Sequence, residues 1–192
     1  MDKYILDVGC GGSKIPGAIG IDQFDMAEVD IVHDLNKLPW PIPEESVDRI
    51  VFSHSISHLR DVPAILTECN RILVNGGEIE IVAPHFSSDN FKTDPTHVVS
   101  MGVRSMNYFV SNVEFQYRYL HQDKLFELVE SGISFREHTS SWRDSRKFNA
   151  GELLGLEALI NSFPRIYEKF LCSFIPASEV YFRLRKKKIS AL

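Results

Sequence analysis

The sequence predicts an α/β fold built on a parallel sheet, and three observations carry that expectation. Residues 3–8 form a short apolar run that ends abruptly in Gly9-Cys10-Gly11-Gly12, the pattern of a strand buried on both faces that runs into a tight turn. Further short, β-branched runs recur at 18–22, 30–33, 49–53 and 78–83, most of them closing on a polar residue. Between the last two, Val62, Ile65, Leu66, Cys69, Ile72 and Leu73 recur at helical spacing behind Asp61, a candidate N-cap, and the pattern stops at Asn75-Gly76-Gly77. A strand, a capped amphipathic helix and a second strand make a βαβ unit, which implies parallel pairing and a right-handed crossover.

The second half carries longer loops. Residues 84–119 are turn-rich and aromatic, with Phe86, Phe91, Tyr108, Phe109, Phe115, Tyr117 and Tyr119, a density that suits core packing or a pocket wall. A helix is expected near 123–130, stopped by Gly132, followed by a strand near 133–139. A helical stripe of Leu153, Leu154, Leu156, Leu159 and Ile160 comes next and reads as core. Val180, Phe182 and Leu184 alternate with Tyr181, Arg183 and Arg185, a half-exposed antiparallel strand before the run Lys186-Lys187-Lys188, which reads as a solvated end.

With 192 residues, 44% hydrophobic and 24% charged, the chain is globular in composition, and one domain is expected. The net charge of −5 gives no general attraction for nucleic acid or an anionic membrane, and a small or neutral ligand suits it better. Cys10, Cys69 and Cys172 match no zinc or disulfide framework. No apolar run approaches the roughly 18–20 residues of a membrane span. The start of the chain runs into a strand rather than a signal peptide, so a cytoplasmic location is expected. Self-association as a homodimer is left open.

The chemistry gathers at strand ends. A glycine-rich turn lets backbone approach a ligand closely. The dinucleotide fingerprint requires Gly where Lys14 stands, and the P-loop requires Gly-Lys-Ser/Thr where Gly12-Ser13-Lys14 stands, so both nucleotide motifs fail. Asp22 closes the second strand, Asp34 follows the third and Ser53-His54 follows the fourth, at the carboxyl ends where open α/β sheets bind ligands. A carboxylate after strand two offers two acceptor oxygens to the hydroxyls of a ribose, and Asp34 could accept from an exocyclic adenine amine.

Ile5-Leu6-Asp7-Val8-Gly9-Cys10-Gly11-Gly12, Gly20-Ile21-Asp22, Asp30-Ile31-Val32-His33-Asp34-Leu35, Leu38-Pro39-Trp40-Pro41, Val47-Asp48-Arg49-Ile50-Val51, the Ser53-His54…His58-Leu59 turn and Glu68-Cys69-Asn70-Arg71-Ile72-Leu73-Val74-Asn75-Gly76-Gly77 follow one another in an order that resembles class I S-adenosylmethionine-dependent methyltransferases. Pro84-His85, Asp94-Pro95-Thr96-His97, Pro164-Arg165-Ile166-Tyr167-Glu168 and Pro176-Ala177 look like the same group. The resemblance implies a Rossmann-like sheet of order 3-2-1-4-5-7-6 with strand seven antiparallel. It divides the single domain into a cofactor-binding half, 1–84, and a substrate-side half, 85–192, with lid insertions. It implies that Asp7, Gly9, Cys10, Gly11 and Gly12 cradle the methionine end of S-adenosylmethionine. Asp22 would hold the ribose, Asp34 and Leu35 would meet the adenine, and Ser53, His54 and His58 would line the floor near the sulfonium. S-adenosylhomocysteine would be the product. The sequence departs from the family in its ten-residue link from Val8 to Ile19, which contains Pro16-Gly17 and leaves no room for the usual helix.

Methyl transfer to a hydroxyl benefits from a base. His85, Asp94 and His97 are the catalytic candidates, a His–Asp pair acting as base and orienter; the alternative is that Asp94 and His97 merely cap a turn or tether a lid. His54 and His58 stand four apart, but Ser55 replaces the glutamate of the metalloprotease motif. His85, Asp94 and His97 could also form a metal triad, but such N/O ligands recur by chance, and no metal is expected. Transfer to an oxygen of a small-molecule or glycan acceptor leads. A catalytically inactive S-adenosylmethionine or S-adenosylhomocysteine binder is the competing reading, and a nicotinamide oxidoreductase is disfavoured by Lys14.

Overall fold

A computed structural model describes residues 4–113, 124–135 and 154–188. The predicted strands appear as β1 (Ile5–Val8), β2 (Ile19–Asp22), β3 (Ile31–Val32), β4 (Val47–Ser53) and β5 (Leu73–Pro84). These five are parallel to one another: Leu6 pairs Ile19 and Ile50, Ile21 pairs Ile31, and Ile50 pairs Ile79. Leu6, Val8, Ile21, Ile50 and Ile79 are fully buried, as expected of strands covered on both faces. Two further strands, β6 (Phe126–Ser134) and β7 (Glu179–Lys186), complete a single sheet of order β3-β2-β1-β4-β5-β7-β6. β7 is antiparallel to both β5 and β6, and Val180, Phe182 and Leu184 point into the core while Arg185 is exposed, the predicted alternation.

The crossover helix α1 (Val62–Ile72) starts as expected: the Asp61 carboxylate accepts from the Ala64 N–H at 3.0 Å, and Val62, Ile65, Leu66, Cys69 and Ile72 face the sheet. Its chain passes directly into β5 at Leu73 rather than pausing at the glycine pair. Short helical pieces α2 (Asp89–Thr93), α3 (Leu154–Ser162) and α4 (Pro164–Ile166) belong to the second half. The links from β1 to β2 and from β2 to β3 are loops, as the short spacing required.

Three expectations are corrected. Residues 126–130 form the start of β6, not the end of a helix, and the described part of the strand expected near 133–139 is the last stretch of β6. Leu125, Phe126, Leu128 and Val129 are spaced like a helical stripe, but β6 carries a bulge between Leu128 and Glu130, which shifts the strand's phase and hides its alternation. Pairing to β7 along its whole length decides the outcome. Lys186 is not solvated: it is buried and donates to the Leu73 carbonyl at 2.7 Å, with Glu45 at 3.4 Å. In the leucine stripe, Ile160 is buried but Leu159 is exposed. Phe115, Tyr117, Tyr119 and Leu153 lie outside the described residues. Among the described residues no helix is long and apolar enough to cross a membrane.

Replacing Asp61 by Ala removes the α1 cap and should cost about 1 kcal/mol, read as a lower urea midpoint with an unchanged slope.

Candidate active site

The carboxyl ends of β1, β2 and β4 open onto a cavity of about 710 Å³, lined by Gly9, Asp22, Gln23, Phe24, Leu35, Asn36, Ser53, His54, Ser55, His58, Leu59, Arg60, Thr96 and Val98. The glycine turn forms one wall. Gly9 has φ of +71°, and a Cβ there would overlap the Cβ of Ser55; the Ser55 hydroxyl donates to the Val8 carbonyl. Only glycine combines that backbone angle with that approach. The turn is tied to β2 twice: Gly9 N–H donates to Ile21 O at 2.8 Å, and Gly11 N–H donates to Asp22 Oδ2 at 2.9 Å. The other oxygen of Asp22 accepts from Phe24 N–H at 3.0 Å. Each carboxylate oxygen has a second lone pair, so Asp22 keeps acceptor capacity on the cavity side.

Of the expected cofactor residues, the structure brings Gly9, Asp22, Leu35, Ser53, His54 and His58 to this cavity. Gly11 stands behind Asp22 as its donor. Asp7 is buried, and its Oδ2 accepts from Ile15 N–H at 2.8 Å, so it fastens the loop that follows the turn. Burial pushes its pKa up, against the lowering effect of that hydrogen bond. Cys10 is buried beside Gly20, and burial pushes its thiol up to about 11. Gly12 is exposed. Asp34 is half-buried and closes a local turn, Oδ1 accepting from Asn36 N–H at 3.1 Å with Lys37 at 3.5 Å; Asn36 lines the cavity in its place.

A second cavity, of about 300 Å³, is lined by His54, His58, Pro84, Asn90, Thr93, Asp94 and His97. The two cavities share His54 and His58. His54 is held at φ +58°, its N–H bonded to Val82 O at 2.8 Å and its Nε2 3.0 Å from Glu179 Oε1. Glu179 is buried at the start of β7 and was missed by sequence reasoning, because no local signal links it to a turn more than a hundred residues earlier.

The three catalytic candidates separate. His85 is fully buried, its Nδ1 2.7 Å from Ser87 Oγ and its Nε2 3.4 Å from Glu168 Oε1, and it lines neither cavity. Asp94 and His97 stay together, Nε2 to Oδ2 4.0 Å, and their third partner is His58, whose ring stacks on His97 at 4.5 Å. Thr96 organises the group: its N–H and hydroxyl donate to Asp94 Oδ1 at 2.8 and 2.6 Å, holding the Asp94 carboxyl below the usual carboxylate range. Trp40 is core packing, its indole N–H donating to Leu35 O at 3.1 Å.

Residues 6–81 match the methyltransferase domain family. Solved structures with the same fold include YcgJ from Bacillus subtilis, with 14% identity, TM-score 0.56 and coverage of 98% of this chain and 93% of that one. A SAM-dependent methyltransferase from Archaeoglobus fulgidus has 20% identity, TM-score 0.55 and coverage of 96% and 86%. The [4+2]-cyclase SpnF has 15% identity, TM-score 0.56 and coverage of 98% and 77%. No curated protein matches the sequence. The structural likenesses are likenesses of fold; the domain match falls on the strands that build the larger cavity. Together they define the class of fold: residues 6–81 match the methyltransferase domain, and the sheet is one shared with enzymes whose methyl donor is S-adenosylmethionine.

The cavity fits that donor. Its volume lies in the range of cofactor sites, its glycine wall leaves no room for a Cβ at position 9, and its carboxylate stands at the end of β2.

Gly9→Ala should weaken S-adenosylhomocysteine binding at least tenfold by calorimetry. Gly12→Ala, where a Cβ meets nothing within 4 Å, should leave it unchanged. Asp7→Asn should keep the bond to Ile15 while removing a buried charge. Because the folded pKa of Asp7 is raised, its favourable contribution is present at low pH and lost as pH rises through that value. The variant's melting temperature should therefore match wild type near pH 4 and exceed it at pH 7.5.

Proposed function

We propose that this chain methylates an oxygen of a small-molecule or saccharide acceptor seated in the smaller cavity. The observation that supports this reading most is the pair of residues, His54 and His58, common to the two cavities: a donor in one lies across a single layer of side chains from an acceptor in the other. When bound, S-adenosylmethionine supplies a methyl group already activated on a sulfonium, so the protein's task is alignment and exclusion of water.

The chain's own residues divide that task. Asp22 accepts from ribose hydroxyls with its remaining lone pairs. Leu35 and Asn36 flank the adenine end, and the exposed Phe24 and Val98 offer apolar surface for the ring to cover. Gly9 lets the amino-acid end pass, while Ser53 and His54 form the floor. His58, Asp94 and His97 receive the acceptor hydroxyl and ease the loss of its proton, a need that hydroxyl acceptors have and neutral amines lack. The polar lining of the smaller cavity, rich in imidazole, amide, hydroxyl and carboxylate groups, suits a sugar-like acceptor. His85 acts as a buried strut beneath the lid, not as a base.

A second reading, cofactor binding without methyl transfer, is favoured by the open loop between β1 and β2 and by the cyclase among the structures of this fold. Transfer of label from methyl-labelled donor across a panel of hydroxylated metabolites and sugars separates the two. His97→Ala should lower turnover on the accepted substrate by about a hundredfold or more while leaving the Kd for S-adenosylhomocysteine within twofold. Unchanged turnover would remove the group from the chemistry. Asp22→Asn should show the reverse pattern, with weaker donor binding dominating.

A further inference from the structure

The hydrogen bonds around Thr96 fix more than a turn. His58 Nδ1 lies 3.2 Å from the Thr96 carbonyl and 3.0 Å from the Thr96 hydroxyl. A carbonyl only accepts, so Nδ1 carries the proton. The Thr96 hydroxyl gives its own proton to Asp94 Oδ1 at 2.6 Å. In the neutral ring this leaves the free lone pair on Nε2. Asp94 has one oxygen saturated by Thr96 and the other, Oδ2, turned toward His97. The His97 side chain is only 6% exposed, and its Nδ1 is buried with no hydrogen-bond partner among the described residues. Three lone-pair donors are thus held close together by groups that use only the other atom of each pair, or none.

We infer that His58, Asp94 and His97 form a binding site for one divalent transition-metal ion at the entrance to the acceptor cavity. One ligand atom from each residue lies within 4.8 Å of the others. Tetrahedral ligands at Zn–N distances of ~2.0–2.1 Å stand roughly 3.3 Å apart, so the trio closes slightly on an ion. The adjustment falls to the partly exposed Asp94 carboxylate, while the His97 ring is held in place between His58 and Phe91. Two imidazoles and one carboxylate favour Zn²⁺, Mn²⁺ or Fe²⁺ over Mg²⁺ or Ca²⁺. The Thr96 network is the outer-shell support such ligands need: an imidazole N–H donating to oxygen, and a carboxylate pinned by its second oxygen.

This inference rests on the reading that the acceptor occupies the smaller cavity, and it says how the trio would ease proton loss. A hydroxyl bound to the ion loses its proton more readily. The acceptor's O–H bond breaks and its O–C bond forms as the donor's C–S bond breaks. The proton leaves to bulk water through the cavity mouth, and no oxidant or reductant is involved.

The test uses the full chain, stripped with chelator and titrated with Zn²⁺, Mn²⁺ and Mg²⁺ by calorimetry, with Co²⁺ absorption as a ligand-sensitive readout. The expected result is one Zn²⁺ or Mn²⁺ per chain and little response to Mg²⁺. Affinity should fall at least a hundredfold in His97→Ala and His58→Ala and about tenfold in Thr96→Val, with a circular-dichroism spectrum and a cooperative thermal transition like wild type as the folding control. Absence of a stoichiometric ion, or equal affinity in His97→Ala, overturns the site. If His97→Ala abolishes turnover in a chain that binds no ion, the metal inference fails and the acid–base reading stands. If the ion binds at the trio but His97→Ala turns over normally, the site stands and the proposed use of the trio fails.

Discussion

One carboxylate holds the strand-end cavity of this molecule together. Asp22 stands at the last position of β2 and accepts from the Gly11 N–H of the preceding turn and the Phe24 N–H of its own. In a fold where a helix usually follows β1, these charge-assisted bonds take over the work of positioning the glycine turn against the sheet. Leaving either donor unpaired in such a site costs on the order of 1–3 kcal/mol. The parallel register of Val8 beside Ile21, with Gly9 N–H on the Ile21 carbonyl, places the carboxylate where it can reach. The cavity, its glycine wall and the carboxylate that faces it all follow from that arrangement.

The acceptor side depends on a different constraint. After β5 the chain turns back across the end of β4: Val98 and Val99 N–H donate to the Ser57 carbonyl at 2.8 and 3.1 Å, and Phe86 N–H donates to Met101 O at 2.9 Å. These bonds lay the Asp94-Pro95-Thr96-His97 turn against the 3₁₀ turn that carries His58. They also leave His85 on the inner side of the returning chain, where Ser87 and Glu168 take its two nitrogens. The smaller cavity is thus assembled from two loops some forty residues apart, and the sheet supplies only the platform.

That division explains what could be read from the residues alone. Parallel strands, an N-capped crossover helix and an alternating last strand write themselves locally, in apolar runs, Asp61 and the Val180-Phe182-Leu184 period. The strand order came through the family resemblance and agrees with the sheet. Local pattern misled where a long-range partner decides. The bulge in β6 imitates a helical stripe until β7 pairs with it, and the ammonium of Lys186 leaves solvent because the Leu73 carbonyl is free to accept it. At the site, the residue types were legible but their grouping was not. Nothing near position 85 signals that Glu168 will hold it, and nothing near position 58 signals that Thr96 will. Glu179 under His54 had no signal at all.

The account as a whole turns on whether the strand-end cavity is where the adenosyl group sits. A crystal structure with S-adenosylhomocysteine bound tests this directly. It should show the ribose hydroxyls on Asp22, the adenine against Leu35 and Asn36, and the sulfur facing the wall formed by His54 and His58. Density for the ligand anywhere else, or an empty cavity at saturating ligand, would contradict it.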